Sequence, residues 1–90
     1  MLLDDIKETL GIRHNLRNGV IEREIRWAKA ELERVGVPGA IASDENNPLI
    51  HDALVSGVCS KMASNEKMRL EYKEMWITSR DELRKHDWGL

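Results

Sequence analysis

The chain has 90 residues, of which 41% are hydrophobic and 33% charged, and its net charge is −2. A chain of that length forms one domain with a thin core, and this balance excludes the disordered class. The sequence pI of about 5.9 argues against non-specific binding to nucleic acid, and no apolar run approaches the ~18 residues that a membrane span needs.

The first expected element covers residues 2–10. Leu2, Ile6 and Leu10 recur at i, i+4, i+8 and so stack on one helical face. Asp4 and Asp5 fall in the first turn, where the helix dipole favours acids, and Gly11 is a natural left-handed stop. Residues 12–18 read as a polar connection. The second element, residues 19–35, has the clearest period: Ile21, Ile25, Ala28, Leu32 and Val35 make one apolar stripe. Asn15 or Asn18 is expected to cap its start. Gly36 ends it and Pro38 prevents its resumption. Residues 36–47, rich in Gly, Pro and turn-forming polar groups, read as one long loop.

Asn47-Pro48 then opens the third element, residues 48–63, with Asn as N-cap and Pro at the first helical position. Its apolar residues cover most of the circumference, and only Asp52 and Lys61 carry full charges, which predicts the central, most buried helix. Ala53, Ser56, Gly57 and Ser60 form a strip of small side chains. Gly57 costs about 1 kcal/mol relative to Ala in a helix interior, a cost that a close helix neighbour would offset. Ser64-Asn65 marks a break. The last element, residues 66–86, is the longest, with Met68, Tyr72, Met75, Ser79 and Leu83 expected on its inner stripe and Arg84, Lys85 and His86 at its cation-favouring end. Residues 87–90 read as a frayed tail. No stretch alternates with period two, so the fold class is all-α: four helices, a long C-terminal one, and one long loop between the second and third.

Charge is spread rather than concentrated. Residues 13–34 carry six basic against four acidic groups, too small an excess for a nucleic-acid footprint. The start Met1-Leu2-Leu3-Asp4-Asp5 lacks the basic and apolar regions of a signal peptide. Cys59 is the single cysteine, which fits a reducing compartment and excludes an intrachain disulfide or thiolate cluster. It sits in the most apolar element, where cysteine behaves as a small hydrophobe. His14, His51 and His86 are scattered, with no i, i+4 pair to hold zinc. Gly36-Val37-Pro38-Gly39 has no Lys-Ser or Lys-Thr after it, so it is no phosphate loop. Glu22, Glu24, Glu31 and Glu33 are interleaved with Arg and Lys, which reads as a solvated face with pairs such as Glu22–Arg26. The expectation is therefore no enzyme, no metal and no cofactor. The aromatic mass is three Trp and one Tyr, with no Phe. Trp27 lies beside the stripe of the second helix, Trp76 on the edge of the last, and Trp88 in the tail. Each is a candidate either for packing or for an interface anchor.

Taken in order, these elements resemble the head–tail connector proteins of tailed bacteriophages. The opening Met-Leu-Leu-Asp-Asp-Ile-Lys-Glu-Thr-Leu-Gly-Ile-Arg is similar to that family's first helix and Leu-x-Ile turn. Residues 21–36, Ile-x-x-x-Ile-x-x-Ala-x-x-x-Leu-x-x-x-Gly, resemble its second helix. Asn47-Pro48-Leu49-Ile50 is similar to its Asp/Asn-Pro-Leu-Ile third helix. Residues 68–73, Met-Arg-Leu-Glu-Tyr-Lys, resemble its Arg-Leu-x-x-x-Tyr final helix, with Arg69 and Leu70 shifted relative to Tyr72. The chain departs from the family in having Arg13-His14-Asn15-Leu16-Arg17-Asn18 where an acidic run often stands, and in a longer last helix bearing Trp76.

The resemblance implies a homo-oligomeric ring that docks below the portal, lets DNA pass through its channel and offers a platform to the next neck or tail-completion protein. Its place would be the virion neck, after assembly in the host cytoplasm. The small-residue strip and the tryptophans, Trp27, Ala53, Gly57, Trp76 and Trp88, are the expected subunit or partner contacts. The alternative is a small helical regulatory or nucleic-acid-binding module, although the 36–47 loop is too long for the turn of a helix-turn-helix.

Overall fold

The computed structural model describes residues 2–88 and is all-helical: α1 (Leu2–Leu10), α2 (Asn18–Arg34), α3 (Gly39–Ala42), α4 (Pro48–Met62) and α5 (Glu66–Lys85). The four long helices lie where the sequence places them, because their ends are set by side chains with definite stop and start chemistry. Gly11 and Gly36 have φ of +73° and +112°. At each, the two amides that follow the helix turn back: Ile12 N donates to Lys7 O and Gly11 N to Glu8 O, and likewise Val37 N to Leu32 O and Gly36 N to Glu33 O. This six-to-one, five-to-two pairing is the Schellman stop, and its usual apolar clasp is present in the burial of both Leu32 and Val37. At the starts of α4 and α5, Asn47 Oδ1 accepts from Leu49 N at 3.0 Å, and Asn65 Oδ1 accepts from Lys67 N at 2.8 Å.

Three expectations need correction. The start of α2 has no asparagine cap: its N-cap is Arg17, with no side-chain capping bond. Asn15 is engaged elsewhere, its Oδ1 accepting from Lys7 Nζ at 2.8 Å and from Asn18 Nδ2 at 3.3 Å. Residues 36–47 are not a free loop. Pro38 stands as the N-cap of the one-turn helix α3, where Pro38 O accepts from Ile41 N and Ala42 N. Val37 and Ala42 are buried, and Lys29 Nζ of α2 meets Glu45 Oε2 at 2.7 Å, so the segment is pinned at both ends. Finally, the inner stripe of α5 runs through Tyr72, Trp76 and Leu83, while Met75 points outward and is 51% exposed.

α4 is the central helix. It buries Ile50, Ala53, Leu54, Ser56, Gly57, Val58 and Cys59, with α1 and α2 packed on one side and α5 antiparallel along the other after the short turn 63–65. Leu2 and Ile6 of α1 and Ile21, Ile25, Ala28 and Leu32 of α2 complete the core. The hydroxyls in the small-residue strip are satisfied locally: Ser56 Oγ donates to Asp52 O at 3.0 Å, and Ser60 Oγ donates to Gly57 O at 2.6 Å. The strip therefore presents little more than hydrocarbon and backbone to its neighbour, which lets α5 approach closely.

Candidate interface surfaces

Gly57 is where α5 comes nearest. A Cβ built on it would lie 2.9 Å from Trp76 Cε3, so the indole rests directly on the backbone of α4. Trp76 in turn meets Trp27 of α2, with ring centroids 5.7 Å apart and tilted by 45°. Lys61 Nζ lies 3.5 Å from the Trp27 ring centroid and 3.4 Å from Glu24 Oε2. Glu24 and Trp27 are three residues apart and share a face of α2, so one lysine of α4 engages both. The cluster joins α2, α4 and α5 through Gly57, Trp76, Trp27, Lys61 and Glu24.

This geometry locates the five side chains singled out from the sequence. Ala53, Gly57 and Trp76 are buried inside the chain's own core. Trp27 is half-buried, its ring against Trp76 and beneath Lys61 Nζ. Trp88 is half-buried and folds back on the end of α5: its Nε1 donates to Leu83 O at 3.2 Å, and its ring lies 4.3 Å from that of His86. The tail is thus turned back at residue 88, and residues 89–90 lie outside the described residues. The structure brings Gly57, Trp76 and Trp27 together. Trp88 stands apart, at the far end of α5.

The titratable groups are dispersed. His51 Nε2 stands 3.0 Å from Asp5 Oδ2 and ties α4 to α1. His14 Nδ1 accepts from Leu16 N at 3.2 Å, within the α1–α2 connection. The acids of α2 pair with Lys61 and Arg34 rather than in a Glu22–Arg26 rung. Among the described residues no three His, Cys, Asp or Glu side chains lie close enough to hold a metal ion, and no helix is long and apolar enough to cross a membrane.

Cys59 is fully buried, and burial pushes its thiol up from 9.0 to about 11. The neutral thiol is therefore favoured in the fold, and the nucleophilic thiolate is suppressed at neutral pH. Because the folded value exceeds the unfolded one, this contribution to stability is fully present below pH 9 and is lost as pH rises toward 11. Denaturant titrations of the native chain and of Cys59→Ala are expected to run parallel up to pH 8.5 and to converge above pH 9. A constant difference between the two from pH 7 to 10.5 would contradict this. In native buffer a thiol reagent should label Cys59 only as fast as the chain opens.

The surface carries large apolar side chains that the core does not use. Leu70, Met75 and Ile77 of α5 are exposed, as are Leu49 at the start of α4 and Leu16 in the α1–α2 connection. Leu70 and Ile77 are seven residues apart and share the outer face of α5. Met75 borders a groove on the flank with Glu71, Glu74, Thr78 and Ser79. Sequence periodicity finds the inner stripe of such a helix, and the outer one escapes notice because its members sit singly among charges. A count of every apolar residue against the face it falls on would have marked Leu70 and Ile77. The chain matches no family model, no curated protein and no solved structure.

Proposed function

We propose that this chain is a structural connector subunit of the phage head–tail type: it assembles into a ring beneath the portal and joins the DNA-filled head to the neck or tail. The observation that carries the reading is the surplus of exposed apolar side chains on so short a chain. Leu16, Leu49, Leu70, Met75 and Ile77 lie outside the core, spread over the α1–α2 connection, α4 and α5. A subunit inside a ring must bind a neighbour on each side and a further protein above and below, and side chains of this kind supply such contacts. The succession of a Gly-stopped α1, a Gly-stopped α2, an Asn-Pro-started α4 and a long α5 bearing Tyr72 follows the order of elements that the resemblance rests on. In this role the protein acts by binding alone. DNA passes through the channel, and the partners are other copies of the chain, the portal and the next neck protein. Its location is the virion neck, reached after assembly in the host cytoplasm.

The test is the mass of the purified protein in solution, measured by light scattering after size exclusion over a wide concentration range, with and without portal protein. A discrete ring-sized species, or a monomer that becomes one as concentration rises or portal is added, is the expected result. A monomer or dimer that never assembles and ignores portal would overturn the reading. Strong duplex binding that weakens steeply with salt would favour the nucleic-acid-binding module instead.

A further inference from the structure

We propose that one copy of this chain docks on the next by placing Leu16, carried between Arg13 and Arg17, against the pocket that Asp44, Glu45 and Pro48 line. The contact deepens the ring reading given above by naming the two surfaces that meet.

The knob lies in the connection between α1 and α2. Leu16 is 90% exposed, the most exposed large hydrophobic side chain among the described residues. The connection that carries it is tied by local hydrogen bonds. Lys7 Nζ and Asn18 Nδ2 both donate to Asn15 Oδ1, Asn18 N donates to Asn15 O, and Leu16 N donates to His14 Nδ1. Four hydrogen bonds thus hold the backbone on either side of a leucine that touches little of its own chain. A side chain held outward in this way loses little freedom on binding, which is what an anchor requires. Arg13 and Arg17 flank it, both exposed, and neither makes an ion pair among the described residues. The connection therefore presents one apolar tip and two unneutralised cations.

The complementary surface lies at the other end of α1. A pocket of about 640 Å³ there has Leu2 and Pro48 as its apolar residues and Asp44 and Glu45 as its acidic ones, with Ser43, Asn46 and His51 completing the lining. Asp44 accepts Asn46 N through Oδ1 and pairs with no cation among the described residues, whereas Glu45 shares one oxygen with Lys29. Carboxylates beside Pro48 and Leu2 are the counterpart of a leucine between arginines in sign of charge. A partner of unrelated sequence would need both features to occur by coincidence. A second copy supplies them by construction.

Position adds a further argument. Leu2 opens α1 and the knob follows its end, so the two surfaces are separated by a nine-residue helix about 13 Å long. A copy cannot fill its own pocket. The contact joins different patches on successive copies, and a repeated contact of that kind closes into a ring when the rotation per step divides a full turn.

The test uses three variants and the same mass measurement. Leu16→Ser removes the knob at a site too exposed to affect folding, and should weaken self-association at least tenfold with the thermal midpoint unchanged. Arg13→Glu with Arg17→Glu leaves an acidic knob facing an acidic pocket. Asp44→Lys with Glu45→Lys leaves a basic knob facing a basic pocket. Each of these double variants alone should stay monomeric where the native chain assembles. Mixed in equal amounts they should assemble again, because every junction then pairs opposite charges. Circular dichroism of each variant checks that the helices are intact. Native-like assembly of Leu16→Ser overturns the proposed contact and leaves the ring reading standing. A native chain that stays monomeric to millimolar concentration also overturns the contact, and portal binding then decides the connector reading by itself.

Discussion

Trp76→Ala is expected to destabilise the protein by about 3–5 kcal/mol, most of what a chain of this size has to lose. Trp76 is 4% exposed, lies on the backbone at Gly57 and packs against Trp27, so its removal opens a void between α4 and α5 that also strips a neighbour from α2. The void cannot close by a slide of α5, because Leu83 further along the same helix is anchored in the core. Urea titration followed by circular dichroism measures the effect. The variant should be partly unfolded at 25 °C without denaturant. A loss under 1 kcal/mol would mean that the α4–α5 contact is held elsewhere. Trp76→Phe keeps a ring on Gly57 and should recover more than half of the loss.

Gly57→Val attacks the same contact from the opposite side, with an expected cost of about 3 kcal/mol. A Cβ there would fall 2.9 Å from Cε3 and 3.1 Å from Cδ2 and Cζ3 of Trp76, which are atoms of a rigid ring already backed by Trp27. Valine then adds two methyl groups with no room for either. Gly57→Ala is milder, since a gain of up to about 1 kcal/mol in helix propensity opposes the overlap. Gly19 provides the control: it lies in α2 with nothing within 4 Å of its notional Cβ, so Gly19→Ala should be neutral or stabilising. If Gly57→Val costs no more than the same change at Gly19, the close approach carries no energy. Combined with Trp76→Leu, Gly57→Val should cost less than the sum of the two single changes, since the smaller side chain leaves room for the larger one.

The sequence shows the four long helices to within a residue or so because their ends rest on local chemistry. Gly11 and Gly36 take a backbone conformation that other residues avoid; Asn47 and Asn65 start helices by bonds to amides two or three residues on, and Pro48 is preset for the first helical position. The central place of α4 is equally legible, since a helix apolar all round has to be covered all round. What escapes the sequence depends on contacts between elements. α3 is a single turn, too short to show a period, and Pro38 before it reads as a stop although it serves as a start. The inner stripe of α5 falls on Trp76 rather than Met75 because α5 follows the surface of α4, where Gly57 leaves room for an indole. Of the site residues, the sequence marks Gly57 and Trp76 as notable without saying that they meet. It hides Leu16 altogether, because one apolar residue among Arg, His and Asn looks like part of a polar connection.

The turn 63–65 has a consequence for how copies come together. α4 and α5, which share the most extensive packing in the molecule, are neighbours along the chain with three residues between them. Contacts this near in sequence need little loop closure, and small helical proteins whose contacts are mostly local fold in microseconds to milliseconds. Encounters between protomers at about 1 μM, with docking rate constants of about 10⁵–10⁷ M⁻¹ s⁻¹, take about 0.1–10 s. In the proposed ring, each subunit would therefore reach its final shape before it meets the next. The pace of building an oligomer is set by diffusion and orientation, and by how many copies the cell has made.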